Sequence, residues 1–257
     1  MLKNFVVVAL LCLLVGCAST TAPKADPWEG LNRGTFAFNE VVDKAVFKPV
    51  AQGYQAVTPQ FARAGVSNLF SNIGDVGNGL NNLLQGKPGA AFSDIARLVV
   101  NSTLGVLGLF DVATPMGLEK HNEDFGQTLG TWGVGAGPYL VVPLMGPSTL
   151  RDTLGRVADG RATSYSRHIE HIPTRNATLG LELINLRAEL LASSKTLEEA
   201  TLDKYQFLRD AFLQRRMNQV QDGKVSQAQR DKLEEALESP AAPAASAPPS
   251  PKAPAAK

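Results

Sequence analysis

The sequence is poor in the residues that build metal and redox sites. Its 257 residues include two cysteines and three histidines. Cys12 lies in a leader that we expect to be removed, so the remaining cysteine has no partner and no disulfide is predicted. His168 and His171 stand three residues apart and could touch one metal ion from one helix face, but no third ligand is evident. We therefore predict a solvated turn at these histidines and no metal site.

Charge of either sign is scarce and balanced. Charged residues make up 19% of the chain and hydrophobic residues 44%. Without residues 1–16, which contain a single lysine, the chain keeps 24 basic and 24 acidic side chains. A nucleic-acid-binding protein normally shows a basic excess or a basic stripe. The balance therefore argues against a nucleic-acid partner.

Motifs for covalent and phosphate chemistry are also missing. The segment Gly146-Pro147-Ser148 lacks the Gly-x-Ser-x-Gly spacing of a nucleophile elbow, and no strand is predicted before it. The glycines between 133 and 137 lack the flanking strand and the Lys-Ser/Thr ending of a phosphate-binding loop. We predict that the protein is not an enzyme and has no catalytic residues. A lipid-cleaving enzyme is kept as an alternative.

The N-terminus is similar to that of an exported bacterial lipoprotein. Lys3 supplies a positive charge, and residues 5–15 form an uncharged run that suits a secretory signal and is too short to span a membrane. The run ends in Leu-Val-Gly before Cys17, which resembles a lipobox. We expect removal of a signal peptide, residues 1–16, with N-acyl and S-diacylglycerol lipid attached to Cys17 and no other cofactor. Ala18, in place of aspartate, favours the outer membrane; an ordinary signal peptide is the alternative.

Before the Ala/Pro-rich tail, the mature chain contains two long uncharged stretches, at 98–110 and 125–150. The first is too short to span a bilayer. The second is long enough, but its three prolines and six glycines oppose a regular helix. Irregular backbone at membrane depth is tolerated only where it is buried in protein or lines a water-filled cavity. We therefore expect a loop packed within a membrane-embedded protein, with a buried loop of a soluble periplasmic domain as the alternative.

Helix signals begin directly after the predicted tether. Asp26 is expected as an N-cap with Pro27 in the first turn, and Glu29 and Arg33 are interpreted mainly as part of that helix start. Pro49 is expected to end this helix, because proline lacks an amide donor.

Further signals extend to the C-terminus. The density of Asn and Gly at 68–86 favours tight turns or close helix contacts. Thr196 with Glu199 predicts a capping box, and Ser226 a last short helix. No long alternating strand pattern is present, so the predicted fold class is all-α. The expected helices cover 27–46, 50–57, a stretch from 58, 88–104, 175–192, and a stretch from about 197 to 217.

Several motifs together are similar to the MlaA (VacJ) family of outer-membrane lipoproteins, over about residues 26–217. The longest match lies in the second uncharged stretch. The matching residues are Asp26-Pro27-Trp28-Glu29 with Asn32-Arg33, Phe38-Asn39, Pro49-Val50-Ala51, Asn82-Leu83-Leu84-Gln85-Gly86, Arg97 with Asn101-Ser102, Gly108-Leu109-Phe110-Asp111-Val112-Ala113, Phe125-Gly126-Gln127-Thr128-Leu129-Gly130, Gly133-Val134-Gly135-Ala136-Gly137-Pro138-Tyr139, and Leu150-Arg151-Asp152.

The resemblance implies a ring-like helical domain in the inner leaflet of the outer membrane, with a central amphipathic channel. Its implied partners are phospholipid, a trimeric outer-membrane porin and the periplasmic carrier MlaC, and no reaction is catalysed. The domains expected on this basis are the signal peptide, a lipidated tether at 17–25, the helical domain at 26–220 with soluble C-terminal helices, and a short helix with a disordered Ala/Pro-rich tail at 221–257. The alternative is a scaffold or adaptor lipoprotein that binds a porin or the cell wall without contacting lipid.

The resemblance also implies roles for particular residues. Gly133, Gly135 and Gly137 are expected to form a flexible hinge that governs open and closed forms of the channel, or alternatively to permit only tight packing. Phe38 and Asn39 are expected on a helix that shapes the channel, with core and cap roles as the alternative. Arg151 and Asp152 are expected to form either a polar channel rim or a structural ion pair.

Overall fold

The computed structural model describes residues 25–200 and 202–239, and they form a mainly helical fold with one small sheet. The predicted all-α fold class is confirmed. The signal peptide 1–16, Cys17, the tether up to residue 24 and the tail from residue 240 lie outside the described residues. In chain order the elements are α1 (Glu29–Val42), a π-helical turn (Asp43–Phe47), α2 (Lys48–Val57), α3 (Gln60–Leu84), α4 (Pro88–Thr103), α5 (Phe125–Thr131), β1 (Tyr139–Val142), β2 (Gly146–Thr149), α6 (Leu150–Ala162), a 3-10 turn (Tyr165–His168), α7 (Ile172–Glu189), α8 (Leu191–Ala200), α9 (Lys204–Val220) and α10 (Gln227–Glu238).

The start of α1 differs from the prediction. The helix begins at Glu29 with Trp28 as N-cap, and no side chain caps it. Asp26 is fully buried instead, and its carboxylate accepts hydrogen bonds from Asn32 Nδ2 at 2.7 Å and from the Tyr205 hydroxyl. The predicted N-cap at Asp26 is therefore wrong, because a buried partner in α9 competes for the same carboxylate.

The predicted helix end at Pro49 is also wrong. The π-helical turn Asp43–Phe47 inserts one wide turn, in which Lys48 N–H donates to the Asp43 carbonyl five residues earlier. Pro49 then falls in the first turn of α2, a position at which proline is tolerated. The helical rod consequently continues through the proline to Val57.

The Asn/Gly-rich segment is the second half of α3, packed closely on α4. A Cβ on Gly79 would lie 3.6 Å from the Ala91 carbonyl, and Asn82 Nδ2 donates to Asp94 Oδ2 at 2.8 Å. The expectation of close helix contacts is therefore confirmed. The α4 helix, at 88–103, matches its predicted range within one residue.

The second uncharged stretch contains regular structure, so the prediction of a loop throughout is wrong. Asp124 caps α5, accepting from Gln127 N–H at 2.9 Å. Strands β1 and β2 pair antiparallel, with Tyr139 opposite Thr149 and Val142 opposite Gly146. Each strand has four residues, which is too short for an alternating pattern to stand out in the sequence. The residues between α5 and β1 remain irregular.

Among the described residues, the C-terminal part of the chain forms four helices, α7 to α10, where the sequence predicted three. Thr196 lies inside α8, where its hydroxyl donates to the Ala192 carbonyl at 3.3 Å, so the predicted capping box there is wrong. Asp203 caps the next helix, accepting from Gln206 N–H at 3.1 Å. The predicted helix start at Ser226 is confirmed by a full capping box with Gln229.

A small hydrophobic core lies where the sheet meets α9. Its buried members are Tyr139, Val141, Tyr205, Phe212 and Leu213. The N-terminal end of the described chain is fixed beside this core. Ala25 N–H donates to the Ala236 carbonyl in α10, and the Ala25 carbonyl accepts from Tyr139 N–H, both at 3.0 Å.

Across residues 25–200 and 202–239, no single helix combines the length and the apolar character needed to cross a membrane.

Candidate functional site

The α6 helix carries its apolar side chains on the outside. Leu150, Leu154 and Val157 recur at helical spacing and are exposed, with 60% of Leu154 accessible. Arg151 and Asp152 on the opposite side are buried. A surface helix of a water-soluble protein shows the reverse arrangement.

The same inversion continues on α3 and α4. Asp75 and Asp94 are fully buried, and Arg97 is 2% exposed, whereas Phe92 is 72% exposed. Other buried polar residues on the two helices are Asn72, Asn78, Asn81, Asn82 and Asn101, and other exposed apolar residues are Phe61, Val76, Leu80, Leu83, Leu84, Ile95 and Val99. Among the described residues, buried polar and charged side chains outnumber buried apolar ones. The result is a polar interior behind an apolar perimeter.

The polar interior fixes the irregular chain between α4 and α5. Arg97 donates to both Asp111 carboxylate oxygens at 3.1 Å and to the Leu118 carbonyl at 2.7 Å. Asn101 Oδ1 accepts from Val112 N–H at 2.8 Å. Burial alone would raise the pKa of Asp111, but hydrogen bonds from Thr114, Arg97 and Asn101 outweigh it and lower that pKa to about 2.

A second polar cluster, formed by Asp124, Arg151, Asp152 and Arg216, joins three helices. Arg216 of α9 contacts Asp124 at 2.7 Å and Asp152 at 2.8 Å, and Arg151 contacts Asp152 at 3.0 Å. Burial opposes ionisation of both carboxyls, yet the Arg216 guanidinium holds the pKa of Asp124 and of Asp152 below its usual value. We name this group the Arg216 cluster. It brings the predicted residues Arg151 and Asp152 together as an ion pair.

Glycines make room for the Arg216 cluster. A Cβ on Gly126 would lie 2.7 Å from Asp152 Oδ1 and 2.9 Å from Arg216 Nη2, and one on Gly155 would lie 2.4 Å from the Gly126 nitrogen. Helices α5 and α6 therefore cross at glycine, since any side chain there would separate them.

Arg216 and Asp124 were not among the residues singled out from the sequence. The usable signal was periodicity, because Tyr205, Arg209, Phe212 and Arg216 share one helical face and are all buried in α9. Two arginines on the face that also carries aromatic residues indicate a buried ionic partner. That partner could not be assigned from the sequence, since Asp124 is 92 residues away from Arg216.

Two cavities flank the cluster. The first, of about 260 Å³, has mainly polar walls that include Asn78, Gln127 and Arg156. The second, of about 320 Å³, lies between the glycine-rich segment and the C-terminal helices, and Leu233 of α10 helps to close it. Arg216 lines both cavities.

The three predicted hinge glycines have different surroundings. Gly133 and Gly137 have positive φ angles of 90° and 69°, a region that favours glycine. Gly135 has no such angle, and a Cβ added there would meet no atom within 4 Å. Arg151 holds both sides of Gly135, because its Nη1 donates to the Val134 carbonyl at 3.3 Å and its amide to the Ala136 carbonyl at 3.1 Å.

Asn39 binds the tip of the β1–β2 hairpin. Its Nδ2 donates to the Val142 carbonyl at 3.1 Å, and its Oδ1 accepts from Leu144 N–H at 2.8 Å. Leu144 has a positive φ of 61°, so this side chain supports a strained turn residue. The neighbouring Phe38 is 51% exposed on α1 and belongs to the apolar perimeter.

The two spaced histidines lie on either side of the connection from the 3-10 turn to α7. His168 ends the turn, and the ring of His171 caps α7 by accepting from Thr174 N–H at 3.4 Å.

Comparison with known sequences gives a consistent group of relatives. The family model described as MlaA lipoprotein matches residues 24–219. The intermembrane phospholipid transport system lipoprotein MlaA of Escherichia coli is 38% identical over 210 residues, which cover 79% of this chain and 82% of the relative. Its namesake in Haemophilus influenzae is 30% identical over 220 residues, covering 82% and 88%. An uncharacterized protein of Rickettsia bellii is 35% identical over 196 residues, covering 76% and 77%.

A solved structure gives the same relationship in three dimensions. It comes from work on the "structural basis for maintenance of bacterial outer membrane lipid asymmetry". The two chains superpose with a TM-score of 0.67 at 35% sequence identity, over 76% of this chain and 98% of the other.

Proposed function

Because the chain belongs to the MlaA lipoprotein family, we propose that it is a phospholipid transport component that maintains the lipid asymmetry of the outer membrane. Relatives of 30% to 38% identity carry the name of an intermembrane phospholipid transport system lipoprotein. The observation that carries the proposal is the apolar perimeter around a polar interior. A protein that transfers phospholipid needs both environments, since the headgroup is polar and the acyl chains are not.

The apolar perimeter also supports a location within the periplasmic leaflet of the outer membrane. Exposed side chains such as Phe61, Phe92 and Leu107 are 80%, 72% and 74% accessible. Contact with acyl chains would remove this surface from water, at a gain of roughly 25 cal/mol per Å². In this arrangement the acyl chains attached to Cys17 orient the domain and add a further membrane contact.

The polar interior supports a path for the headgroup. Phospholipid misplaced in the outer leaflet would pass through a channel beside the Arg216 cluster, and a periplasmic carrier, MlaC, would receive it. Gly133, Gly135 and Gly137 would allow the adjacent segment to move, Phe38 and Asn39 would position the helix and hairpin beside it, and Arg151 with Asp152 would fix its base. A trimeric porin is the proposed partner within the membrane. No covalent step is required, so the proposed activity is not enzymatic.

Deletion of the gene tests the proposed function directly. Phospholipid exposed on the cell surface, measured by chemical labelling of aminophospholipid in intact cells, should increase without the protein. A plasmid copy of the wild-type gene should restore the original level. An unchanged surface content in the deletion strain would contradict the proposal.

The alternative is a scaffold lipoprotein that binds a porin or the cell wall. Exposed leucines on α7, among them Leu179, Leu183 and Leu186, give it a protein-binding surface. A photo-reactive residue at position 135 separates the two functions, because a channel position should capture phospholipid. The same residue at position 193, which is exposed on α8, serves as the control. Capture of protein alone at position 135 would favour the scaffold.

A further inference from the structure

The apolar stripe on α6 ends in an arginine. Leu150, Leu154, Val157 and Arg161 recur at intervals of three or four residues, so they lie on one helix face, and all four are exposed. Arginine at the end of an apolar stripe is the arrangement of a side chain that reaches from the acyl region to the headgroups.

Two more arginines follow, one in the short connection to α7 and one in α7 itself. Arg167 is exposed on the 3-10 turn, and Arg175 is half-buried in the first turns of α7. Within the described part of the chain, no carboxylate forms a salt bridge with any of the three arginines. Residues 161–175 contain only Glu170 as an acidic residue. The segment therefore carries a net positive charge that the fold does not neutralise.

Tyr165 fixes the connection between α6 and α7 to the rest of the fold. Tyr165 OH donates to Glu182 Oε2 at 2.7 Å, and its ring packs 5.9 Å from that of Phe70 on α3. The segment that carries the arginines thus sits on a fixed support, and Ile172 at the start of α7 is exposed beside it.

We propose that Arg161, Arg167 and Arg175 form a binding surface for the phosphate groups of anionic phospholipids in the leaflet that the α6 stripe enters. Guanidinium groups form strong charge-assisted hydrogen bonds with phosphate. An anionic lipid surface offers two things: negative charge that can pair with the arginines, and an acyl region that can bury the exposed leucines of α6. An acidic protein surface would satisfy only the first requirement. The proposal rests on the membrane location proposed above and adds the lipid class.

Vesicle flotation tests the proposal. The mature full-length chain carrying Cys17→Ala is used, so that acyl chains do not dominate binding, with vesicles of phosphatidylcholine alone or with phosphatidylglycerol added. Replacing all three arginines by glutamine should weaken binding to the anionic vesicles by about fivefold per arginine, on the order of 100-fold in total. Binding to neutral vesicles should not change. Added salt should weaken wild-type binding to the anionic vesicles.

Two matched variants complete the test. Glutamine at Lys195, Lys224 and Arg230 removes the same charge from exposed positions elsewhere and should leave binding unchanged. Leu154→Asn should weaken binding to both vesicle types, because it interrupts the apolar stripe. Equal binding of the wild type and the Arg161, Arg167 and Arg175 variant to anionic vesicles would overturn the proposal. The proposal would also be overturned if this variant bound vesicles normally but no longer copurified with a membrane protein that accompanies the wild type. That result would assign the arginines to a protein partner.

A second measurement avoids dependence on the unlipidated chain. In the lipidated protein, His168→Cys supplies a thiol beside Arg167 for an environment-sensitive dye. The dye emission should shift to the blue more strongly in anionic than in neutral nanodiscs. An identical emission in both would contradict headgroup binding at this segment. The outcome of the phospholipid-labelling test does not depend on either dye result. The transport function and the anionic-lipid surface can therefore be contradicted separately.

Discussion

Arg216 neutralises two carboxylates, that of Asp152 in α6 and that of Asp124 at the start of α5. Asp152 is 3% exposed at its side chain, whereas Asp124 is 41% exposed. The two carboxylates therefore depend on Arg216 to different degrees. Loss of the arginine leaves Asp152 buried without its strongest partner, while water can partly replace it at Asp124.

Replacing Arg216 by glutamine is expected to destabilise the fold by about 3 kcal/mol, mainly through the buried Asp152 carboxylate. The side-chain volume is largely kept, so the loss reports on charge more than on packing. Chemical denaturation in detergent at neutral pH measures the change. A loss below about 1 kcal/mol would show that Arg151 alone satisfies Asp152.

The pH dependence of the same variant is the control. In the wild type the pKa of both Asp124 and Asp152 is lowered, so their contribution is complete above the unfolded pKa and is lost as the pH falls through the folded values. Without Arg216, burial should raise the pKa of Asp152, and the variant should then gain stability as the pH falls towards the unfolded value. The stability difference between wild type and variant should therefore shrink from pH 7 to pH 4.

The glycines at 135 and 137 give a matched pair of substitutions. Valine at Gly137 should destabilise the protein by about 1–2 kcal/mol, because φ there is 69° and side chains disfavour that region. Valine at Gly135 should hardly change the thermal midpoint, since no atom lies within 4 Å of its Cβ position. If this segment moves during transport, Gly135→Val should nevertheless raise surface-exposed phospholipid. Normal transport by a normally folded Gly135→Val protein would contradict the hinge.

At the scale of secondary-structure elements, the β1–β2 hairpin is held from outside by Asn39 on α1. Asn39→Leu removes a donor to Val142 and an acceptor from Leu144, so amide hydrogen exchange should accelerate at 142–145. The global stability should fall by about 1–2 kcal/mol. Asn39→Asp keeps only the acceptor and should give an intermediate exchange rate. Unchanged exchange in both variants would show that the hairpin holds its tip without α1.

The elements that could be predicted from the sequence are those with local signals. Helix α4 and the start of α10 were predicted because proline and a capping box mark their starts. The helix end predicted at Pro49 is wrong, because the π-helical turn before this proline lets the helix continue. No local sequence pattern indicates that turn. Thr196 had the spacing of a cap, but the chain continues as helix there and Asp203 caps instead. Likewise the site glycines were visible in the sequence, whereas Arg216 acts through contacts with residues far along the chain.

At the scale of the molecule, the distribution of apolar surface predicts how the protein behaves without its lipid. Cys17→Ala should mislocalise the protein, yet the product should still associate with membranes through its apolar perimeter. Fractionation of cells followed by size-exclusion chromatography measures both effects. A soluble, monodisperse product would show that the perimeter does not face acyl chains, and would favour the scaffold. Leu154→Asn combined with Cys17→Ala should move more protein to the soluble fraction.

The backbone contacts of Ala25 determine how mechanical load enters the molecule. Its amide and carbonyl are tied to Ala236 in α10 and to Tyr139 in β1, each at 3.0 Å. Tension along the N-terminal chain would reach these two junctions before it reached α1, whose first residue is Glu29. The sheet and the last helix would therefore take up such tension before the helix that carries Asn39. A pull on the N-terminal chain would thus reach the hairpin through Tyr139 of β1, at the opposite end of the strand from the tip that Asn39 holds.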